Sequence, residues 1–250
     1  MPELPEAERA RLAIERGALG RRIAAVDDRD TYVCRPHAPG EIAGALTGLA
    51  LASAHRRGKT LWVETDRGPT LGLHLGMAGR ISIDEGPLDR PWDRFVIEFE
   101  DGGRMALRDR RRLGRAVLDP DLSNLGPDAA EVGRKVFRDR LGRGDTGIKP
   151  RLMDQSVVAG LGNLLVDEIL WRARLHPLRP AGSLSDDELD DLRRHTRFAV
   201  RSAIRKGGAH TGDLIAHRER GGHCPRCGAQ LARGTVGGRT TYWCPAEQQR

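Results

Sequence analysis

Short runs in which apolar residues alternate with polar ones, or follow one another, fill the first half of the chain: RIAAVDD (22–28), LALASA (49–54), TLWVET (60–65), PTLGLHL (69–75), RISI (80–83), RFVIEFE (94–100), RMAL (104–107) and RAVL (115–118). A period of two in segments this short predicts β-strands, and the Gly, Pro and Asp between them, such as DRG at 66–68 and EDGG at 100–103, predict hairpin turns. Antiparallel strands so arranged build a β-sandwich or flattened barrel. A helix is expected ahead of them, over residues 5–17, and beyond about residue 120 the period lengthens to that of helices. DDELDDLRRHTRFAVRSAIRK (186–206) places Leu189, Leu192, Ala199 and Ala203 on one face, with Ser185 and Glu188 spaced as a capping box. GNLLVDEILWRAR (162–174) is a second helix, opened by the tight turn GLG and closed before Pro177. The last stretch is Gly-rich with paired cysteines. The expected class is therefore α+β, with a β-sandwich domain over 1–118, a helical domain over 119–206 and a small metal-ribbon tail over 207–250.

Charge adds a partner to this outline. Lys plus Arg number 42 against 35 Asp plus Glu, a formal charge of +7 with a pI near 9.8. That balance suits a polyanion, most often nucleic acid. An Arg-, Ala- and Gly-rich composition also follows from a GC-rich genome, and against it the scarce lysines, Lys59, Lys149 and Lys206, stand out. No apolar run approaches the roughly 20 residues that span a bilayer, so a soluble, cytoplasmic protein without a membrane partner is expected.

Three of the four cysteines crowd into the tail, which points to a metal site rather than a disulfide framework; Cys34 stands apart and reads as a small buried apolar residue. Cys224 and Cys227 form a C-x-x-C knuckle, a hairpin with a GG turn follows, and Cys244 opens a second knuckle. Where a four-cysteine ribbon has its last thiolate stands Glu247. Three thiolates and a carboxylate are acceptable to Zn²⁺, His223 is another candidate, and the alternative is a hairpin held by its own packing. Arg239, at the hairpin turn, suits a phosphate or simply the solvent.

The opening MPELPE has two readings. Pro5 fits a first helical turn, where its missing N–H is harmless, and Glu3, Glu6 and Glu8 complement the helix dipole. Initiator methionine before a small residue is usually removed, so the chain is also expected to start at Pro2 with a free secondary amine.

PELPEAE (2–8), RRGK (56–59), HLGMAG (74–79), DRRRLG (109–114), LGPD (125–128), DQSVVAGLGNLLVDEILWRARLHP (154–177) and GGRTTYWCP (237–245) occur in one order. Together they make the chain resemble the formamidopyrimidine-DNA glycosylase and endonuclease VIII family over nearly its whole length. The resemblance implies a two-layer β-sandwich, a helix-two-turn-helix domain and a zinc finger. It implies base-excision repair of double-stranded DNA carrying a damaged base or abasic site: glycosylase and abasic-site lyase activity through a Schiff base on Pro2, followed by β- and δ-elimination. Glu3 would be the general acid and base and Glu6 a supporting group. Lys59, Asn163 and Arg239 would hold phosphates, with glycines of GLGN admitting the DNA backbone and exposed amides binding its anionic oxygens. His74 of HLGMAG would join the DNA contacts, and Met77, Arg112 and Leu113 would fill the space left by a flipped base.

Two positions depart from the family pattern. Leu113 stands where the family has Phe, which forfeits stacking on the opposite strand, and Arg110 where it often has Pro. The segment from GGAHTGDL (207–214) runs almost directly into RERGGHCPRC, so the loop that covers an oxidised purine in purine-directed members is short. The lesion class stays open between oxidised purine, oxidised pyrimidine and a bulky or alkylated base. A noncatalytic binder of damaged or abasic DNA on the same scaffold is the alternative from another class. A monomer is expected.

Overall fold

The computed structural model describes residues 2–85 and 91–249; Met1, whose removal is expected, lies outside them. The chain divides into two compact units, one made of residues 6–122 with Pro2, the other of Glu3–Pro5 with Ser123–Arg250.

The helix α1 (Leu4–Gly17), which belongs to the first unit from Glu6 onward, buries Ala7, Ala10 and Ile14 on one stripe, while on its polar side Arg11 bridges Glu8 at 2.8 Å and Glu15 at 3.2 Å. All eight apolar runs are strands: β1 (Ile23–Asp27), β2 (Leu51–Arg57), β3 (Thr60–Thr65), β4 (Leu71–His74), β5 (Arg80–Ile83), β6 (Asp93–Phe99), β7 (Arg104–Arg108) and β8 (Arg115–Leu118). They form two antiparallel four-stranded sheets, β1-β6-β7-β5 and β2-β3-β4-β8. The inward residues of both, among them Leu61, Val63, Leu71, Leu73, Phe95, Ile97 and Leu107, share one core with Cys34. Burial, with Asp28 nearby, pushes the Cys34 thiol up to about 12, so it is an unreactive packing residue. A short helix that periodicity does not announce, α2 (Glu41–Leu46), starts where the Asp28 carboxylate accepts the amides of Gly40 at 2.8 Å and Ala43 at 3.0 Å.

The second unit holds α3 (Arg134–Leu141), α4 (Ile148–Met153), α5 (Asn163–Arg172) and α6 (Asp186–Lys206), then the hairpin β9 (Ala232–Val236) and β10 (Arg239–Trp243). The capping box forms as spaced: the Glu188 amide donates to Ser185 Oγ at 3.2 Å and the Ser185 amide to Glu188 Oε2 at 2.8 Å. The helices close on a core containing Phe137, Leu152, Val166, Leu192 and Val200. A separate small cluster, with Trp171, Leu214, Leu231 and Tyr242 around Cys224 and Cys244, anchors the ribbon. Among the described residues no helix is long and apolar enough to cross a membrane.

Candidate active site

Strand register gathers part of the predicted site at one end of the sandwich. Thr60 pairs with His74 and His74 with Arg115, while Arg80 pairs with Arg108. The turn carrying Lys59, the connection 74–79 from β4 to β5 and the connection 109–114 from β7 to β8 therefore share an edge. Gly76 makes the approach of the last two possible: its φ is +59°, and a Cβ there would lie 2.4 Å from the Leu113 carbonyl carbon. Met77 is 38% exposed, a large apolar side chain presented to solvent.

The 109–114 loop is built by a residue that periodicity does not mark. Asp109 is buried, and its carboxylate accepts the amides of Arg111 at 2.9 Å and of Leu113 and Gly114 at 2.7 Å each. Its place ahead of three arginines and a glycine is the signal, since a short carboxylate folds the following backbone onto itself. Arg112, at φ +55°, donates to Asp30 through two bonds of 2.9 and 2.8 Å. The Lys59 turn has its own brace. Gly58 at φ +62° allows the reversal, and Arg56 donates both to Gly58 O at 3.0 Å and to Glu8 on α1 at 2.8 Å. Burial opposes the charge on Glu8, but bonds from Arg11 and Arg56 more than offset it and hold the carboxyl below its usual range. Burial and the Lys59 charge draw His74 down, so its ring is neutral near pH 7, and its Nδ1 accepts the Gly76 amide at 3.0 Å. Glu6, with Leu75, Gly79 and Ile81, lines a cavity of about 360 Å³ in this unit.

In the second unit Glu3 is fully buried at the start of α5. Gly162 precedes that helix and offers it no side-chain cap. The carboxylate of Glu3 supplies one instead, accepting Gly162 N–H and Leu165 N–H on Oε2 at 2.9 and 3.1 Å and Leu164 N–H on Oε1 at 2.9 Å. The Leu4 amide donates to Gly160 O at 3.0 Å, fixing the same segment. This corrects the expectation for Gly162. A Cβ there would sit 2.4 Å from Glu3 Cδ, so that glycine makes room for Glu3, and its amide, with those of Leu164 and Leu165, is occupied by a carboxylate of the chain itself. Pro2, half-buried, is joined to Glu3 by one peptide bond.

Asn163 donates from Nδ2 to Thr240 O at 3.0 Å, which sets it beside Arg239 at the Gly237–Gly238 turn. Arg218 reaches the same carbonyl at 2.5 Å and donates to Asp167 at 2.7 Å. Asp167 is a buried hub: it also accepts the Tyr242 amide at 3.2 Å and the fully buried Lys149 at 2.5 Å. Burial pulls the Lys149 ammonium down while Asp167 pulls it up, with a lowered value as the outcome. Lys149 had only its rarity to mark it; Asp167 and Arg218 had no signal.

In the ribbon the sulfurs of Cys224, Cys227 and Cys244 lie within 4.8 Å of one another, a group that could hold a metal ion. The Trp171 indole N–H donates to Cys224 Sγ at 3.3 Å. Neither Glu247 nor His223 belongs to that group; the Glu247 carboxylate is bound by Arg226. Three thiols suit a soft or borderline divalent ion such as Zn²⁺.

Residues 1–116 match the formamidopyrimidine-DNA glycosylase N-terminal domain, and residues 125–213 the H2TH domain of the same enzyme. The chain is 37% identical to the formamidopyrimidine-DNA glycosylase of Roseiflexus sp. (strain RS-1), with all of both chains covered. Two solved Lactococcus lactis structures of the enzyme, one with DNA containing N7-benzyl-Fapy-dG and one with DNA containing an oxidised pyrimidine, each superpose with a TM-score of 0.89 at 30% identity over all of both chains.

Proposed function

The chain belongs to the formamidopyrimidine-DNA glycosylase family, and on that premise we propose that it is a base-excision DNA glycosylase and abasic-site lyase whose nucleophile is the Pro2 amine. The observation that carries this reading is the buried Glu3 carboxylate, clamped by three amides one residue from Pro2. With Met1 removed, Pro2 is a secondary α-amine; an α-amino pKa near 8 leaves a usable neutral fraction at pH 7, which a lysine near 10.4 lacks. The Pro2 nitrogen attacks C1′ of the damaged nucleotide, and the glycosidic bond breaks with its electron pair leaving on the base. Glu3 supplies a proton to the sugar ring oxygen or the departing base and later accepts one. The C1′–O4′ bond then breaks with its electron pair leaving on the protonated ring oxygen, and the resulting iminium acidifies C2′–H. Loss of that proton drives β-elimination of the 3′ phosphate, and a second elimination releases the 5′ phosphate.

Lys59, Asn163 and Arg239 hold phosphates in this reading. His74, neutral and with Nδ1 occupied, offers its Nε2–H to another. Met77 and Leu113 enter the space of the flipped base, and Arg112 exchanges Asp30 for the opposite strand. A structural zinc ion on Cys224, Cys227 and Cys244 would cross-link the two knuckles that position Arg239; Glu247 joins it only by giving up Arg226. Elemental analysis giving about one zinc per chain, lost in Cys227→Ser, checks that element.

The test of the function is borohydride reduction with an abasic-site duplex and a panel of duplexes carrying an oxidised purine, an oxidised pyrimidine or an alkylated base. A covalent adduct that is strongly diminished in Pro2→Gly, which offers a primary amine in place of the secondary one, is expected. Tight binding to abasic DNA with neither adduct nor cleavage would instead assign the chain to the noncatalytic alternative.

A further inference from the structure

Helix α6 buries Leu189, Leu192, Ala199, Val200 and Ala203 and turns a different chemistry outward. Arg193, Arg197, Arg201 and Arg205 recur every four residues, so they stack as one stripe roughly 18 Å long at 1.5 Å per residue. At its N-terminal end Asp191 neutralises Arg194 at 2.5 Å, and at its C-terminal end Asp213 faces Lys206 at 3.5 Å. Between them Arg197, Arg201 and Arg205 have no ion pair among the described residues, and the Arg197 Nε is buried without a hydrogen-bond acceptor. Like charges one turn apart repel, so an anion laid along the stripe is favoured twice, by attraction and by relief of that repulsion.

Phe198 sits among these arginines with half of its surface exposed, and Arg172 of α5 lies 4.7 Å from its ring centroid. The arginines and Phe198 line a groove of about 430 Å³. We propose that this groove is a docking site for an acidic peptide segment of another protein that also carries a large apolar side chain. Carboxylates match the planar guanidinium forks, and the apolar residue covers Phe198. A duplex would satisfy the arginines but leave Phe198 in water. Within this unit the groove also lies away from Asn163: α5 begins at Asn163, beside Glu3, and ends at Arg172, which meets Phe198 roughly 14 Å further along its axis.

The experiment is fluorescence anisotropy of the full chain with a labelled peptide of Asp, Glu and one Phe, run beside the same peptide with Ser for Phe. Binding in the micromolar range is expected, about tenfold weaker without the Phe, as follows from burying one aromatic side chain. Arg197→Glu with Arg201→Glu should weaken binding tenfold or more, while lesion-strand cleavage and the thermal midpoint stay near those of the unaltered chain. No binding, or equal binding of the two peptides, overturns the proposal. So does displacement by undamaged duplex together with loss of duplex affinity in the double variant, an outcome that assigns the stripe to DNA.

Discussion

Replacing Glu3 by glutamine keeps the shape of the side chain but not its bonding. Two oxygens now accept three N–H groups, from Gly162 and Leu165 on one and Leu164 on the other. A glutamine amide has a single oxygen. In its best orientation that oxygen retains Gly162 and Leu165, and the NH₂ is turned against the Leu164 N–H, donor facing donor. Losing one hydrogen bond to a charged acceptor costs about 1.5–3 kcal/mol, and losing the negative charge at the start of α5 up to about 2 more. The sum is about 1.5–5 kcal/mol of stability, beyond any effect on proton transfer. Pro2→Gly is the control, because it exchanges the proposed secondary-amine nucleophile for a primary one and leaves all three amides occupied. Urea denaturation should therefore show a lower midpoint with unchanged slope for Glu3→Gln and a near-native midpoint for Pro2→Gly, although both diminish the borohydride adduct. Faster hydrogen exchange at Leu164 in Glu3→Gln would place the loss at the helix start. A Glu3→Gln midpoint within about 0.5 kcal/mol of the unaltered chain would refute the clamp.

Gly162→Ala inserts a methyl group 2.4 Å from Glu3 Cδ and should lower single-turnover cleavage tenfold or more by displacing the carboxylate; undiminished cleavage would contradict the packing. Glu8, held below its usual range by Arg11 and Arg56, contributes stability that is complete above its unfolded value, about 4.3, and is lost as pH falls through the lower folded value. A thermal midpoint measured against pH should accordingly flatten below about pH 4 in Glu8→Gln. Lys149→Met leaves Asp167 buried with Arg218 and the Tyr242 amide as remaining partners, so a loss near about 3 kcal/mol is expected in the same urea assay, at the low end for a broken buried pair. With its thiol raised to about 12, Cys34 should resist a thiol-specific reagent at pH 8 until the chain is denatured.

Local pattern carried a large part of this structure. The eight strands, the Ser185 capping box, the two principal helices and the ribbon hairpin are each written in neighbouring residues, because period, turn chemistry and capping act over a few positions. The residues proposed to bear chemistry, Pro2 and Glu3 included, likewise lie in motifs in order. Their support is not legible there. Glu3 caps a helix about 160 residues away, Arg56 ties the Lys59 turn to Glu8, and Asp28 starts α2 from across a loop. The Asp167 hub joins α4, α5 and β10, and Glu247, which ribbon spacing places at a fourth ligand position, is bound by Arg226. A hydrogen bond depends on where two groups meet in space, and sequence spacing reports that only within one element. Thus the chain by itself determined which residues could react, while tertiary structure decided which acceptor each buried donor found, and so how Glu3 is held still.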